Sequence, residues 1–290
     1  MRPTTQPLDQ AIGWNGITMQ IPTDWQPVVI LDNYLLFEDS CRPILEMKWQ
    51  QIHGSLSPER IIRRLRKSGS KQDTLEPWKL PDAWQQALHR FDPIGFRWQG
   101  ARRRGRGVLL YCVTCGRATL VQFYDHPEAD VPCRRILASL RDHTDTDFQH
   151  WAVYDVAFTL PVVARLQEQK FLTGSYTISF RLDDLFLSLL RMKPAEILLA
   201  GNDLLTFGRQ LLKNGEKPIQ NRCGQHEACW LKQASRRQRF LAKLKRQQAD
   251  HCLLLRHLPE KNALLGLRAA CNRPIDLQAV HTLFTNYTIN

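Results

Sequence analysis

The fold is decided by residues 13–49, GWNGITMQIPTDWQPVVILDNYLLFEDSCRPILEMKW, where short strand-like runs follow one another. Apolar and polar residues alternate in Ile17–Ile21, and this period of two is typical of a strand with one face in a core. Residues 34–37 and 44–49 are also rich in apolar residues, and a short polar turn separates them. We therefore predict a strand followed by a β-hairpin at the head of an antiparallel sheet.

A Pro-x-x-Trp corner, formed by Pro22 and Trp25, separates the first predicted strand from the hairpin. We expect Trp25 to be a buried corner aromatic rather than a ring that stacks on a ligand. The preceding segment, MRPTTQPLDQ, is polar and carries two prolines, and we expect the first dozen residues to lie outside the fold. It has no apolar segment of the kind that a secretory signal needs.

Helices and further strands follow in the first half of the chain. Ser57 is a candidate N-cap and a proline follows it, so a helix is predicted to begin there. Residues 96–98 are extended in pattern, and residues 108–112 and 118–124 predict two paired strands. Asp130 is placed to open a closing helix.

The second half repeats this order of elements from about residue 154 onward. The matching strand patterns lie at residues 156–160, 176–180, 185–192, 228–230, 252–256 and 263–269, with helices opened by Asp203 and Asp276. We therefore predict two α+β domains, residues 13–145 and 150–290, joined by a polar linker at residues 143–149.

The corner residues carry a resemblance to a known family. The pattern Gly16-Ile17-x-x-x-Ile21-Pro22-x-x-Trp25 resembles the opening of the PsbP family, whose fold is shared with some Ran-binding proteins. The resemblance implies two tandem α/β/α sandwich domains, each a curved antiparallel sheet flanked by helices. The second copy is degenerate, because Ala164 stands at the place of the tryptophan. The resemblance also implies a non-enzymatic role, in which the protein docks on a larger assembly or serves as an accessory factor.

The composition favours a charged partner. The 290 residues include 40 Lys and Arg against 28 Asp and Glu, a formal net charge of +12. A protein this basic often binds nucleic acid, an anionic surface or an acidic protein, although a merely solvated basic surface is the alternative. No apolar run approaches the roughly 20 residues of a membrane span. With no export signal, we expect the eight cysteines to be reduced and the protein to be cytoplasmic.

Three basic clusters are the candidate binding sites. The first covers a predicted helix, the second a predicted hairpin tip, and the third the equivalent hairpin tip of the second copy. Their residues are Arg60, Arg63, Arg64, Arg66 and Lys67; Arg102, Arg103, Arg104 and Arg106; and Arg236, Arg237, Arg239, Lys243, Lys245 and Arg246. The guanidinium fork suits phosphate and carboxylate alike, and few acidic residues lie near the tips in sequence. Trp98 and Phe240 are the nearest aromatic residues that could stack on bases.

The cysteines suggest little chemistry. Cys112-x-x-Cys115-Gly116 has the form of half a zinc knuckle, and Cys223, His226 and Cys229 offer further ligands. We predict no metal and prefer buried core cysteines, with zinc on these five residues as the alternative. No P-loop, GxSxG, HExxH or GxGxxG motif is present, and only Cys115 or Cys229 with His226 suggests a nucleophile.

The preferred hypothesis is a non-enzymatic adaptor that docks on a protein partner, an acidic one by charge, through a basic surface. It requires an exposed apolar or aromatic patch. The alternative is a sequence-tolerant RNA- or DNA-binding protein that uses two arginine-rich hairpin tips. We predict no enzymatic activity, no cofactor and no small-molecule substrate.

Overall fold

The structure is a computed structural model that describes residues 7–52, 74–100, 103–125, 130–212, 219–222 and 226–290. The predicted helix that begins at Ser57, with the basic cluster at residues 60–67, lies outside the described residues. The described residues form three antiparallel sheets and short helices, so the chain is an α+β protein. Within them, no helix is long and apolar enough to cross a membrane.

The chain divides into two compact units. The first unit comprises Met1–Thr146 and His150–Tyr154, and the second comprises Asp147–Gln149 and Asp155–Asn290.

The first unit is built mainly from strands. Its elements are β1 (Gln10–Trp14), β2 (Ile17–Ile21), β3 (Gln26–Leu31), β4 (Tyr34–Asp39), β5 (Arg42–Gln51), β6 (Thr74–Pro77), α1 (Asp82–Ala87), β7 (Asp92–Gln99), β8 (Arg104–Tyr111), β9 (Arg117–Tyr124), α2 (Asp130–Ser139) and most of β10 (Phe148–Val153). The main sheet has seven strands in the order β3-β4-β5-β9-β8-β7-β6.

Residues 10–12 belong to the fold as part of β1, which corrects the expectation that the first dozen residues lie outside it. Strand β1 pairs with β2 from Gln10 opposite Ile21 to Trp14 opposite Ile17, and it also pairs with β10. Trp14 is completely buried, and its ring meets the edge of Trp151 with centroids 5.3 Å apart. Burial of two such large rings explains why this short polar-looking segment is held in place.

The second unit contains further strands and four helices among its described residues. They are β11 (Val156–Pro161), β12 (Arg165–Leu172), β13 (Ser175–Leu182), β14 (Leu185–Met192), α3 (Ala195–Leu199), α4 (Leu204–Leu211), β15 (Ile219–Arg222), β16 (Glu227–Lys232), α5 (Arg236–Leu244), β17 (Asp250–Leu258), β18 (Ala263–Cys271), α6 (Leu277–Thr285) and β19 (Thr288–Ile289). The main sheet has the order β12-β13-β14-β18-β17-β16-β15, and β11 pairs separately with β19.

The two main sheets share one strand order, counted from the first strand of each. The turn after the first predicted strand also recurs. The Trp25 amide donates to the Pro22 carbonyl (3.1 Å), and the Ala164 amide donates to the Pro161 carbonyl (2.9 Å). Trp25 is buried, as predicted, and the smaller Ala164 is buried at its place.

Helices lie on both faces of the main sheet in the second unit. Leu253 and Leu255 point to the face covered by α4, where they share a core with Phe207. Arg256 follows them in β17 and points to the other face, where its guanidinium lies 4.8 Å from the ring of Phe284 in α6. One sheet therefore separates two helical layers.

Candidate functional site

The second basic cluster lies only partly at the predicted hairpin tip. The Gly100 amide donates to the Arg103 carbonyl (2.7 Å) and closes the tip of the β7–β8 hairpin. Arg104 and Arg106 lie in β8 rather than in the tip, and Arg102 lies outside the described residues. The extended ladder between β7 and β8, in which Arg97 stands opposite Arg106, explains the difference.

Arginine and tryptophan side chains form one surface of the first unit. The Arg97 guanidinium lies 5.4 Å from the ring of Trp78, and that of Arg106 lies 6.0 Å from Trp78 and 5.8 Å from Trp84. The two indoles meet edge to face with centroids 5.2 Å apart. We call these four residues the arginine–tryptophan surface. Its cations are already attracted to aromatic faces of their own unit.

The remaining arginines of this cluster also have internal partners. Arg104 pairs with Asp125 (3.3 Å), although few acidic residues lie near this tip in sequence. The Arg103 guanidinium lies 5.8 Å from the ring of Tyr124. Burial, followed by the charge of Glu46, raises the pKa of Tyr124, whose hydroxyl donates to Glu46 (3.0 Å). Trp98 is partly buried and packs against the buried Phe96 cluster.

The second predicted hairpin tip is a helix, α5, and that prediction was wrong. The Ser235 hydroxyl accepts from the Gln238 amide (3.3 Å), and the Gln238 side chain accepts from the Ser235 amide (2.8 Å). This reciprocal pair is a capping box, which satisfies two donors at the start of a helix. The pattern Ser-x-x-Gln before RFLAKL was the sequence signal for it.

Arg239 anchors α5 to the sheet and is not free to bind a partner. Its Nε and Nη2 atoms donate to the two carboxylate oxygens of Asp250 at 2.7 and 2.8 Å. Asp250 is fully buried and also accepts from the Ala234 amide (3.1 Å). The hydrogen bonds to Asp250 raise the pKa of Arg239. This predicted binding residue therefore has a structural role.

The outer side of α5 is both apolar and basic. Phe240, Leu241 and Leu244 are 64%, 54% and 68% exposed. Around them, five exposed cations make no ion pair to any carboxylate of the described residues: Arg236, Arg237, Lys243, Lys245 and Arg246. We call these eight residues the α5 surface. It provides the exposed apolar patch that the adaptor hypothesis requires.

The described residues of the zinc alternative are divided between the two units. Cys112 and Cys115 belong to the first unit, and His226 and Cys229 belong to the second. Cys223 lies outside the described residues. Cys229 is buried within β16, as expected of a core cysteine, and the His226 ring packs against that of His257.

Cys112 and Cys115 instead meet Asp142 and His143, which sequence reasoning missed. The Cys115 thiol donates to Asp142 Oδ2 (3.1 Å), and Cys112 Sγ lies 3.6 Å from His143 Nδ1. Burial, followed by the hydrogen bond to Asp142, raises the pKa of Cys115 to about 12. The Cys115 thiol is therefore protonated at neutral pH, which disfavours its use as a free nucleophile.

No family model and no curated protein matches the chain. Among solved structures, it is similar to a Bacteroides thetaiotaomicron protein, at 14% identity over 61% of this chain and 56% of the other, with a TM-score of 0.31. It is also similar to the type VI secretion (T6SS) immunity protein TplEi of Pseudomonas aeruginosa, solved with an "L" peptide. That match has 9% identity over 98% of this chain and 99% of the other, with a TM-score of 0.34. TM-scores this low do not establish a shared fold.

Proposed function

We propose that the protein is a non-enzymatic adaptor whose α5 surface docks on an acidic protein partner. The observation that supports this most is the exposure of Phe240, Leu241 and Leu244 on one capped helix, surrounded by cations that make no ion pair among the described residues. Exposed apolar side chains gain free energy only when another surface covers them. The cations around them favour a covering surface rich in carboxylates.

A protein partner accounts for the α5 surface better than a nucleic acid. An apolar centre with a charged rim is the usual arrangement of a protein interface. A phosphate backbone would use the cations but would leave Leu241 and Leu244 in water. Phe240 is the single aromatic ring of α5, whereas single-strand binders stack successive bases on several rings.

The arginine–tryptophan surface is a weaker candidate for the main docking site. The guanidinium groups of Arg97 and Arg106 already make cation–π contacts with Trp78 and Trp84. A partner would have to compete with these contacts. The cations of the α5 surface face no such competition within the described residues.

We also infer that the two units are copies of one PsbP-like α/β/α sandwich. The common strand order of the two main sheets supports this, as does the recurring turn at Pro22 and Pro161. Comparison of the copies then places α5 in the connection that corresponds to the β7–β8 hairpin. The helix would be an addition of the second copy, and a new docking surface there agrees with an accessory role.

The test is comparative capture by the immobilised full chain from a lysate of its own organism. Two double variants alter the α5 surface. Phe240→Ser with Leu244→Ser removes apolar side chains, and Arg236→Glu with Arg237→Glu reverses charges. All four side chains are exposed, so we expect both variants to fold. A specific protein partner should be lost by both variants, because the interface needs its apolar centre and its charges.

Two matched controls and a second readout complete the experiment. Ile197→Ser removes an apolar side chain that is 70% exposed in α3, and Arg165→Glu reverses an exposed charge in β12. Both should retain the partner. Labelled RNA, labelled DNA and anionic lipid vesicles should not bind the wild type at physiological salt. Binding of nucleic acid that survives this salt and is lost only on charge reversal would replace the proposal with the RNA- or DNA-binding alternative.

A further inference from the structure

A second feature, independent of the α5 surface, brings four metal-ligating side chains together in the first unit. They are Cys112, Cys115, Asp142 and His143, and one donor atom from each lies within 4.8 Å of all the others. Cys112 and Asp142 are buried, and Cys115 and His143 are partly buried. Two soft sulfur donors, one imidazole and one carboxylate form a ligand set that suits zinc.

The distances between these donors are close to those of a tetrahedral site. Cys112 Sγ lies 3.6 Å from His143 Nδ1, Cys115 Sγ lies 3.1 Å from Asp142 Oδ2, and His143 Nδ1 lies 2.8 Å from Asp142 Oδ1. With Zn–S of about 2.3 Å and Zn–N or Zn–O of about 2.0 Å, neighbouring ligands of a tetrahedral Zn²⁺ stand about 3.3–3.8 Å apart. Small rotations of the side chains would therefore suffice to centre an ion.

The backbone holds both cysteines in one tight turn between β8 and β9. The Gly116 amide donates to the Cys112 carbonyl (2.8 Å), and the Cys112 amide donates to the Arg117 carbonyl (3.0 Å). Gly116 has φ +69°, a conformation that glycine adopts without strain. Residues three apart in a strand point to opposite faces, but this does not apply to Cys112 and Cys115, because Cys115 lies in the turn beyond the end of β8.

The other two ligands come from the segment after α2, and a side chain outside the cluster also holds that segment. The Arg117 guanidinium donates to the Asp142 carbonyl. His143 Nε2 lies 3.8 Å from the exposed Asp145 carboxylate, a distance too long for a hydrogen bond. The Arg117 hydrogen bond therefore holds the backbone at Asp142 independently of the four ligands.

We propose that Cys112, Cys115, Asp142 and His143 bind one Zn²⁺ as a closed structural site. The ion would join the β8–β9 turn to the segment that follows α2. All four positions of the tetrahedron are filled by protein ligands, which is the arrangement of structural rather than catalytic zinc. The site keeps Cys112 and Cys115 from the predicted set and replaces Cys223, His226 and Cys229 with Asp142 and His143.

Cobalt substitution of the full chain tests the site directly. The reduced protein is freed of metal with a chelator and titrated with Co²⁺ alone, and the absorption is followed from the near ultraviolet into the visible. We expect one Co²⁺ per chain, with thiolate-to-cobalt charge transfer and the intense visible bands of a tetrahedral site. Zn²⁺ should displace the cobalt at stoichiometric concentration.

Variants separate this site from adventitious binding. Cys112→Ser should abolish the charge-transfer band, and His143→Gln, at a partly exposed position, should weaken Zn²⁺ binding at least about 100-fold. Cys41→Ser is the matched control, because Cys41 is an exposed thiol outside the cluster. Absence of a stoichiometric thiolate–cobalt band in the folded, reduced wild type would overturn the proposal. Retention of the band and the affinity in His143→Gln, or their loss in Cys41→Ser, would also overturn it.

Discussion

Asp155 shows how much one carboxylate contributes at the residue scale. Its Oδ2 atom accepts from Arg191 Nε (3.1 Å) and from Lys193 Nζ (2.8 Å), and Arg191 also lies 4.5 Å from the ring of Tyr176. Burial alone would raise the pKa of Asp155, but the hydrogen bonds from Arg191 and Lys193 outweigh it and lower that pKa. Arg191 is buried and depends on this partner.

We predict that Asp155→Asn lowers the free energy of unfolding by about 1–2 kcal/mol at neutral pH, a value reduced because Asp155 is still 25% exposed. Because the pKa is lowered in the folded state, the carboxylate stabilises the fold at any pH above 3.8, its pKa in the unfolded chain. This stabilisation is lost as the pH falls through the folded-state pKa. The difference between wild type and variant should therefore be constant above about pH 5 and shrink below it. Chemical denaturation at a series of pH values measures it.

Asp184→Asn is the matched control in the same unit. Asp184 pairs with Arg273 across a solvent-exposed surface, and such pairs contribute little. Its effect should stay below about 0.5 kcal/mol. An Asp155→Asn effect that is equally small, or that grows as the pH falls, would show that the charge of Asp155 does not stabilise the native state.

Helix α5 is the decisive element of the proposed function. None of its residues is fully buried, so packing does little to hold it. Its stability depends on the capping box of Ser235 and Gln238 and on the ion pair from Arg239 to Asp250. Short helices in water are marginal without such local support.

We predict that Ser235→Ala raises the population of the unfolded α5 by removing an N-cap worth about 1 kcal/mol. Amide hydrogen exchange at residues 236–244 should accelerate about fivefold, with little change in the main sheet. Gln233→Ala, at an exposed position just before the cap, should leave the exchange unchanged. Unaltered exchange in Ser235→Ala would mean that the cap does not determine the stability of α5.

Elements with local signals could be predicted from the sequence. Strand β2 and helices α4 and α6 follow from period-two alternation and from the caps Asp203 and Asp276, which accept backbone hydrogen bonds as expected. The edge strands could not be predicted in this way. Strand β12, RLQEQKFL, is mostly polar and exposed because it lies at the end of a sheet, and it shows no apolar face.

The metal-ligating cluster was beyond sequence reasoning for a different reason. Cys115 and Asp142 are 27 residues apart, and only the packing of the segment after α2 against the β8–β9 turn brings them together. In the third basic cluster, the density of charge predicted a hairpin tip, whereas the capping box of Ser235 and Gln238 is the signal of a helix. Local patterns predicted Cys112 and Cys115 as candidate ligands, but only tertiary packing brings Asp142 and His143 to them.

At the scale of the whole molecule, the net charge is +12, and the cations differ in whether they already pair with a carboxylate. Arg104, Arg191, Arg239 and Arg256 pair with carboxylates of the described residues. The five cations of the α5 surface make no ion pair among the described residues, and they lie beside an apolar patch. A long-range field of this kind speeds the approach of an acidic partner, and the apolar contacts then decide the dissociation rate.

The most direct test of the central claim places a photo-crosslinking amino acid at Phe240 and, as a control, at Ile197, in the full chain within its own organism. The account predicts one discrete protein adduct from position 240 that is absent from position 197 and is lost when Arg236 and Arg237 are both changed to Glu. Crosslinks from position 240 to nucleic acid or lipid, or the same adducts from both positions, would contradict the claim that α5 docks on a protein.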